Sequence, residues 1–143
     1  RMETDHTVAY GSEEAQMSGL DRWLPRLMFA LGIVHLLYGV AESPGVIGDM
    51  LGDGLVGSAD DSRRGYVVWF MVGGVAMLTV AWMAGWSVRT AGRLPAALGW
   101  WLIGIGVLIV VTEPMSGGWL VMILGALTVV AARRTTRREP VSA

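Results

Sequence analysis

The sequence predicts an all-α protein, a bundle of four transmembrane helices that runs up-down-up-down with one longer external loop between helices 1 and 2. Three observations support this prediction. Of the 143 residues, 53% are hydrophobic and only 16% are charged, whereas an ordinary soluble domain has about 25% charged residues. Four stretches have the roughly 17–25 mostly apolar residues that a membrane-spanning helix needs. No series of segments shows the alternating polarity of β-barrel strands.

The predicted spans cover residues 24–41, 66–88, 94–112 and 115–132. The last three contain no charged side chain, and the first contains Arg26 near its start and His35 in its middle. Short connections follow the second and third spans, which makes neighbouring helices antiparallel. The long connection Ser43–Gly65 has a partly amphipathic pattern. This pattern leaves two alternatives open, a helix lying on the outer membrane surface and a partly ordered loop.

Three parts are expected along the chain: a polar N-terminal tail of residues 1–20, the transmembrane domain of residues 21–134 and a basic C-terminal tail of residues 135–143. All the basic residues are arginines, and most of them lie on one predicted side of the membrane. The positive-inside rule therefore predicts a multi-pass cell-membrane protein with both termini in the cytoplasm. Because the membrane pattern begins just after Met17, that residue is an alternative natural start.

Composition and charge exclude several classes of function. A net charge of -1 provides no field that would attract nucleic acid. The absence of cysteine excludes thiol catalysis, iron–sulfur clusters and Cys-type zinc sites. The nine methionines are scattered, which favours flexible filling of the core over copper binding. No metal and no cofactor is therefore expected.

His35 is the main chemical feature, since an ionisable side chain inside a membrane span indicates function by default. One alternative is a neutral histidine that is hydrogen-bonded to a carbonyl, Thr79 or Thr128. Another is a ligand-binding or catalytic role, and a third is haem or metal ligation. Haem ligation would need a second axial ligand, because His6 lies in the polar tail.

Glu42 and Glu113 are the predicted acidic partners of His35. Helical spacing puts His35, Tyr38 and Glu42 on one face, and both glutamates fall at predicted outer ends of spans. Together with His35 they are candidate catalytic groups for proton transfer. The alternative is that each glutamate is a solvated residue at a helix end. Candidate ligand-binding side chains are aromatic: Tyr38, Trp69 and Trp119.

Several short motifs resemble a known family. They are Gly32-Ile33-Val34-His35, Leu94-Pro95, Leu98-Gly99-Trp100 and Pro114-Met115-Ser116-Gly117-Gly118-Trp119. In these residues the chain resembles a bacterial family of small four-helix membrane proteins that carries a domain-of-unknown-function label and is common in high-GC actinobacteria. More loosely, the architecture is similar to the DoxX-like four-helix proteins. The resemblance covers residues 20–134 and implies a fold and a membrane location, without an activity.

Three functions compete at this stage. The first is binding or transformation by proton transfer of a small apolar molecule, lipid-like or isoprenoid-like, in an intramembrane pocket. The second is an accessory or structural subunit that packs through its Gly- and Ala-lined faces in a homo-oligomer or a larger membrane complex. The third is a transporter component, which the lack of intramembrane charge disfavours. The bilayer is the expected environment in all three, and nucleic acid is not an expected partner.

Overall fold

The computed structural model describes residues 19–136, with side chains described as far as Arg134. Its helices are α1 (Gly19–Glu42), α2 (Pro44–Asp53), α3 (Ser62–Ala91), α4 (Ala96–Thr112) and α5 (Gly118–Thr136). No strand occurs in residues 19–136, which confirms the all-α prediction. His6, Met17, most of the N-terminal tail and residues 137–143 of the C-terminal tail lie outside the described residues.

Each of the four predicted spans falls largely within one long helix, and two of these four helices meet the criteria of length and composition for a membrane span. Two helices in the described chain, α1 and α3, are long and apolar enough to cross a membrane. Helix α4 is apolar but has only 17 residues. Helix α5 begins three residues after the predicted start of its span, and Arg133 and Arg134 occupy its last turn. The apolar parts of α4 and α5 are therefore shorter than predicted.

The long connection after α1 contains helix α2. Of the two alternatives for this connection, a surface helix and a partly ordered loop, the structure agrees with a helix. Pro44 occupies the first turn of α2, where its missing N–H is not needed. Val46 and Met50 of α2 are buried together with Val67 of α3. The amphipathic pattern of α2 thus reflects packing against protein. Leu51, on another side of α2, is 61% exposed.

Arg64 fixes the connection between α2 and α3. Its guanidinium donates to Asp53 Oδ2 at 2.7 Å and to the Ser58 carbonyl at 3.4 Å. It also lies 3.6 Å from a carboxylate oxygen of Asp60. The Arg64 side chain is only 19% exposed, so its position is well defined by these partners. Some of the acidic residues of this connection therefore serve to hold Arg64 in place.

Asp61 is the N-cap of α3. Its Oδ1 accepts hydrogen bonds from the backbone N–H groups of Arg63 and Arg64, both at 2.8 Å. Such a cap satisfies N–H groups that have no partner inside the helix. The hydrogen bond from the Arg64 N–H holds the pKa of the Asp61 carboxyl below its usual range, and the bond from Arg63 acts in the same direction.

Asp61 is therefore expected to contribute a small, pH-dependent stabilisation. Because its pKa is lowered in the folded state, the contribution is complete above the pKa of the unfolded chain and is lost as the pH falls through the folded pKa. The melting temperature should therefore begin to fall below about pH 5 and should continue to fall below the usual aspartate pKa of about 4. Asp61→Asn keeps the acceptor oxygen, so it should remain folded and lose this part of the pH dependence. An unchanged profile in Asp61→Asn would contradict the assignment.

The described residues fall into two compact units. One comprises residues 26–83, which hold most of α1, all of α2 and most of α3. The other comprises residues 19–25 and 84–136, which hold α4 and α5. Each unit is described by itself below.

Helices α4 and α5 form an antiparallel pair that is closely packed through glycines. A Cβ atom built at Gly99 would lie 2.7 Å from the Gly125 carbonyl oxygen and 2.8 Å from the Val129 backbone nitrogen. The relation is reciprocal, because a Cβ at Gly125 would lie 2.7 Å from the Gly99 carbonyl oxygen. At the other end of the pair, a Cβ at Gly106 would lie 3.0 Å from the Gly118 carbonyl oxygen. Small residues permit this backbone-to-backbone approach, as in membrane helix pairs.

A tight turn joins α4 to α5. The Glu113 backbone N–H donates to the Ile109 carbonyl at 2.7 Å, and the Glu113 carbonyl accepts from the Ser116 N–H at 3.0 Å. Ser116 Oγ accepts from the Gly118 N–H at 3.3 Å, at the start of α5. Trp119 Nε1 donates to the Pro114 carbonyl at 3.0 Å. The main chain of Glu113 and the side chains of Ser116 and Trp119 thus have defined parts in the turn.

Candidate functional site

In residues 26–83, close packing of α1 against α3 depends on glycines of both helices. A Cβ at Gly32 would lie 2.7 Å from Leu78 Cδ2. A Cβ at Gly39 would lie 2.7 Å from Phe70 Cδ1. A Cβ at Gly74 of α3 would lie 2.6 Å from Leu36 Cγ. Large side chains of one helix therefore occupy the spaces that glycines leave on the other.

His35 contacts α3 with its ring and with a ring nitrogen. Its ring stacks on the Phe70 ring, with centroids 3.9 Å apart and an interplanar angle of 7°. Its Nε2 lies 3.1 Å from the Phe70 carbonyl oxygen. Because a carbonyl can only accept, this hydrogen bond requires the proton on Nε2. The partner is therefore a main-chain carbonyl, one of the three partners considered for His35.

The two threonines that were proposed as partners of His35 bond elsewhere. Thr79 Oγ1 donates to the Val75 carbonyl at 3.0 Å. Thr128 Oγ1 donates to the Leu124 carbonyl at 2.7 Å. Both bonds run to the residue four positions earlier in the same helix, a common arrangement for threonine. Of the three bonding partners considered for His35, the carbonyl is the one that the structure provides.

A cleft of about 280 Å³ lies near the C-terminal end of α1 and the N-terminal end of α3. Two of the predicted site residues, Tyr38 and Glu42, line it. Seven further lining residues were not predicted as site residues: Gly39, Ser43, Arg63, Tyr66, Val67, Phe70 and Met71. The walls therefore combine aromatic and apolar side chains with polar ones, and Glu42 and Arg63 contribute opposite charges.

Phe70 is at the centre of the aromatic part of the cleft. The Tyr38 ring lies 6.3 Å from the Phe70 ring at an angle of 46°, and the Tyr66 ring lies 5.9 Å from it at 39°. These distances are in the range of favourable tilted aromatic pairs. Since His35 covers one face of Phe70, this histidine supports the cleft wall without being one of its lining residues.

The other predicted site residues do not line this cleft. Trp69 is 75% exposed and belongs to the same unit, one residue away from Phe70. Glu113 and Trp119 belong to the other unit, Glu113 directly after α4 and Trp119 in the first turn of α5. Glu113 has an exposed side chain. The structure therefore brings Tyr38 and Glu42 together in the cleft and places His35 behind Phe70. The remaining three predicted residues lie outside the cleft.

A metal site is not formed by the described residues. Among residues 19–136 no group of three or more His, Asp or Glu side chains could hold an ion. His35 is in contact with an aromatic ring and a main-chain carbonyl.

The missed cleft residues follow a helical spacing that the sequence contains. Arg63, Tyr66, Phe70 and Gly74 are separated by three or four positions, as are Gly32, His35, Gly39 and Glu42. Each set lies on one face of its helix. The glycines, rather than the largest aromatic residues, were the signal that could have identified these two faces.

Comparison with known proteins gives a family without an assigned activity. The model of a family of unknown function, DUF6463, matches residues 19–135. No curated protein and no solved structure matches the chain. The match covers most of the chain and all five helices except the last residue of α5. This protein therefore belongs to the family of unknown function DUF6463.

Proposed function

We propose that this is an integral membrane protein of the cell membrane, in which α1, α3, α4 and α5 cross the bilayer as an up-down-up-down bundle with both termini in the cytoplasm. The exposure of the long helices supports this. Only 22% of the most apolar window of α1, and 22% of that of α3, is buried, although a helix that passes the same test in a soluble core is mostly buried. Helix α4 carries no charged residue and exposes Trp101, Leu108 and Val111.

The absence of cysteine makes the proposed topology directly testable. Asp49→Cys in α2 and Thr90→Cys near the end of α3 change exposed residues. In intact cells a membrane-impermeant maleimide should label Asp49→Cys and should label Thr90→Cys only after permeabilisation. The cysteine-free parent is the control for background. The reverse pattern would overturn the orientation, and release of the protein from membranes by alkaline carbonate would overturn the membrane location.

We propose further that the cleft binds a small, lipid-like molecule with an apolar part. The observation that supports this is the combination of aromatic and apolar walls with two charged side chains, Glu42 and Arg63. Binding sites for small molecules are concave and mostly apolar, with a few polar groups that fix the ligand. A proton-transfer step on the bound molecule would use Glu42, with His35 and Glu113 as the other candidate groups from the sequence.

Filling the cleft should abolish binding. Ser43 is half-buried, lines the cleft and makes no side-chain cap to α2, so Ser43→Phe adds volume there at little cost to the helix. Native mass spectrometry of the parent, extracted in mild detergent from its own membrane, should show a stoichiometric lipid-sized adduct. The adduct should be absent from Ser43→Phe and present in the matched control Ser62→Phe, which changes an exposed serine outside the cleft. Retention in Ser43→Phe would contradict the proposal.

The exposed side chains of α4 also favour a second candidate function, an accessory subunit of a homo-oligomer or a larger membrane complex. Trp101 and Val111 are each 74% exposed, and a helix face of this kind fits another membrane helix as well as it fits lipid. The same mass spectrum distinguishes the two candidates, because a subunit would appear only together with its partner protein. A role in transport has less support, since a transport path usually contains a series of ionisable groups within the spans.

An origin in a high-GC actinobacterium and a likeness to DoxX-like proteins complete the proposal. Their support is the absence of lysine and the short glycine-containing motifs of the sequence, among them Gly32-Ile33-Val34-His35 and Leu98-Gly99-Trp100.

A further inference from the structure

The cleft combines three aromatic rings with a carboxylate. Tyr38, Tyr66 and Phe70 all line it, and both tyrosine rings lie within 6.3 Å of the Phe70 ring. Glu42 lines the same cleft from the end of α1. Rings that are tilted toward one another cannot all stack on one flat ligand. A compact organic cation, in contrast, can contact rings of different orientation.

Such an arrangement favours a quaternary ammonium over a primary one. An alkylated ammonium has no N–H to donate, so it gains from aromatic faces within about 6 Å and from a nearby carboxylate. A primary ammonium instead needs three acceptors for its N–H groups. Among the described residues of the lining, Glu42 supplies the one negatively charged side chain, and Tyr38, Tyr66 and Phe70 supply the aromatic rings.

Arg63 supplies the opposite charge. Arg63 lines the cleft together with Glu42, and no ion pair joins these two side chains among the residues that the structure describes. The neighbouring Arg64, in contrast, is engaged by Asp53, Asp60 and Asp61. Arg63 is thus the arginine of this pair that remains for a ligand, and its planar guanidinium suits a phosphate or a carboxylate.

The size of the cleft limits what can enter it. A volume of about 280 Å³ is at the lower limit of the roughly 300–1,000 Å³ typical of pockets for drug-sized ligands. It accommodates a polar head group, and hydrocarbon chains of a lipid would lie outside it.

We infer that the cleft binds a zwitterion of the phosphocholine type, with its quaternary ammonium among Tyr38, Tyr66 and Phe70 beside Glu42 and its phosphate at Arg63. The inference rests on the proposed function, namely that this cleft is a ligand site. It adds the chemical class of the ligand's polar part, a head group that carries both charges.

The experiment uses the full chain in dodecyl maltoside, a detergent without charge, and two soluble probes. Isothermal titration calorimetry should show binding of phosphocholine with an affinity at least about tenfold above that of phosphoethanolamine. Glu42→Gln and Arg63→Gln should each weaken phosphocholine binding by about tenfold or more. Asp49→Asn and Arg89→Gln, which change exposed charges outside the cleft, are the matched controls and should bind as the parent does.

A further arm identifies the source of the head group. Phosphatidylcholine in nanodiscs should compete with phosphocholine if the ligand is a lipid, and phosphatidylglycerol nanodiscs should not. Competition by neither nanodisc, with phosphocholine binding intact, would assign a soluble zwitterion instead.

Two outcomes would overturn the inference: equal or tighter binding of phosphoethanolamine, and phosphocholine affinity that is unchanged in both charge variants. The proposed function is tested separately by the adduct that Ser43→Phe should remove. If that adduct is lost but neither zwitterion binds, the cleft is a ligand site for another class of molecule. If Ser43→Phe retains the adduct and neither zwitterion binds, the proposed function is wrong as well. Equal melting temperatures of the variants and the parent exclude misfolding as the cause.

Discussion

Replacing Gly99 by alanine is expected to destabilise the α4–α5 pair by about 1–3 kcal/mol. The added methyl group would lie 2.7 Å from the Gly125 carbonyl oxygen and 2.8 Å from the Val129 backbone nitrogen. Both are main-chain atoms, which cannot turn aside as the end of a side chain can. The helices would have to separate, and packing would be weakened along the pair.

Gly104→Ala is the matched control for this prediction, because Gly104 lies on the same helix and a Cβ there would meet nothing within 4 Å. Alanine at an open helical position is otherwise favourable by up to about 1 kcal/mol, so the two variants should change stability in opposite directions. The measurement is unfolding by heat in detergent, followed by tryptophan fluorescence. Equal stabilities of the two variants would contradict the packing described for α4 and α5.

The reciprocal geometry adds a second expectation for the same pair. Gly125→Ala should be destabilising for the same reason as Gly99→Ala, since its methyl group would lie 2.7 Å from the Gly99 carbonyl oxygen. The double variant should be less destabilised than the two single effects added together. Once one methyl group has forced the helices apart, the second finds space already made, and such neighbours are not additive.

His35→Ala is expected to destabilise the α1–α3 pair by about 2 kcal/mol. The substitution removes the ring that stacks on Phe70 at 3.9 Å and the hydrogen bond from Nε2 to the Phe70 carbonyl. His35→Phe keeps a ring of similar size and loses only the hydrogen bond, which is worth about 0.6 kcal/mol on average between membrane helices. His35→Phe should therefore be clearly more stable than His35→Ala.

Val34→Ala is the control for the histidine variants, since Val34 is 60% exposed on the same helix. Unfolding in mixed dodecyl maltoside and sodium dodecyl sulfate, followed by far-ultraviolet circular dichroism, measures the differences. The lipid-sized adduct in the native mass spectrum separates packing from chemistry. Its retention in His35→Phe would assign the histidine to packing, whereas its loss from a stable His35→Phe would assign the histidine to the ligand.

The positions of the long helices could be predicted from the sequence because apolar runs are a strong signal, but their ends could not. Helix α1 begins at Gly19, five residues before the predicted span, since polar residues such as Arg22 continue a helix as readily as apolar ones. Helix α4 starts two residues late, after Pro95. The apolar run of α4 is therefore longer than its helix, which accounts for one of the two predicted spans that do not meet the criteria of length and composition.

The residues that line the cleft were conspicuous in the sequence on α1 but not on α3. On α1 the polar residues His35, Tyr38 and Glu42 have helical spacing, and two of them, Tyr38 and Glu42, line the cleft. Helix α3 is apolar around most of its circumference, so hydrophobicity does not indicate which face meets α1. The prediction selected Trp69, and the structure places its neighbour Phe70 in the cleft. Arg63 was missed as well, because it is distant in sequence from the cleft residues of α1. The contact between α1 and α3 that brings them together is tertiary and is not encoded in local spacing.

Phe70 is held by its carbonyl and its ring to His35, and the same ring forms part of the cleft wall. A ligand in the cleft would therefore lie beside Phe70, which also links α3 to α1 through His35. A molecule that binds only the folded protein stabilises it in proportion to its concentration relative to its dissociation constant. Occupancy of the cleft should accordingly slow amide hydrogen exchange in α1 and α3. A ligand too dilute to be isolated would then be detectable as protection of the backbone around Gly39 and Gly74.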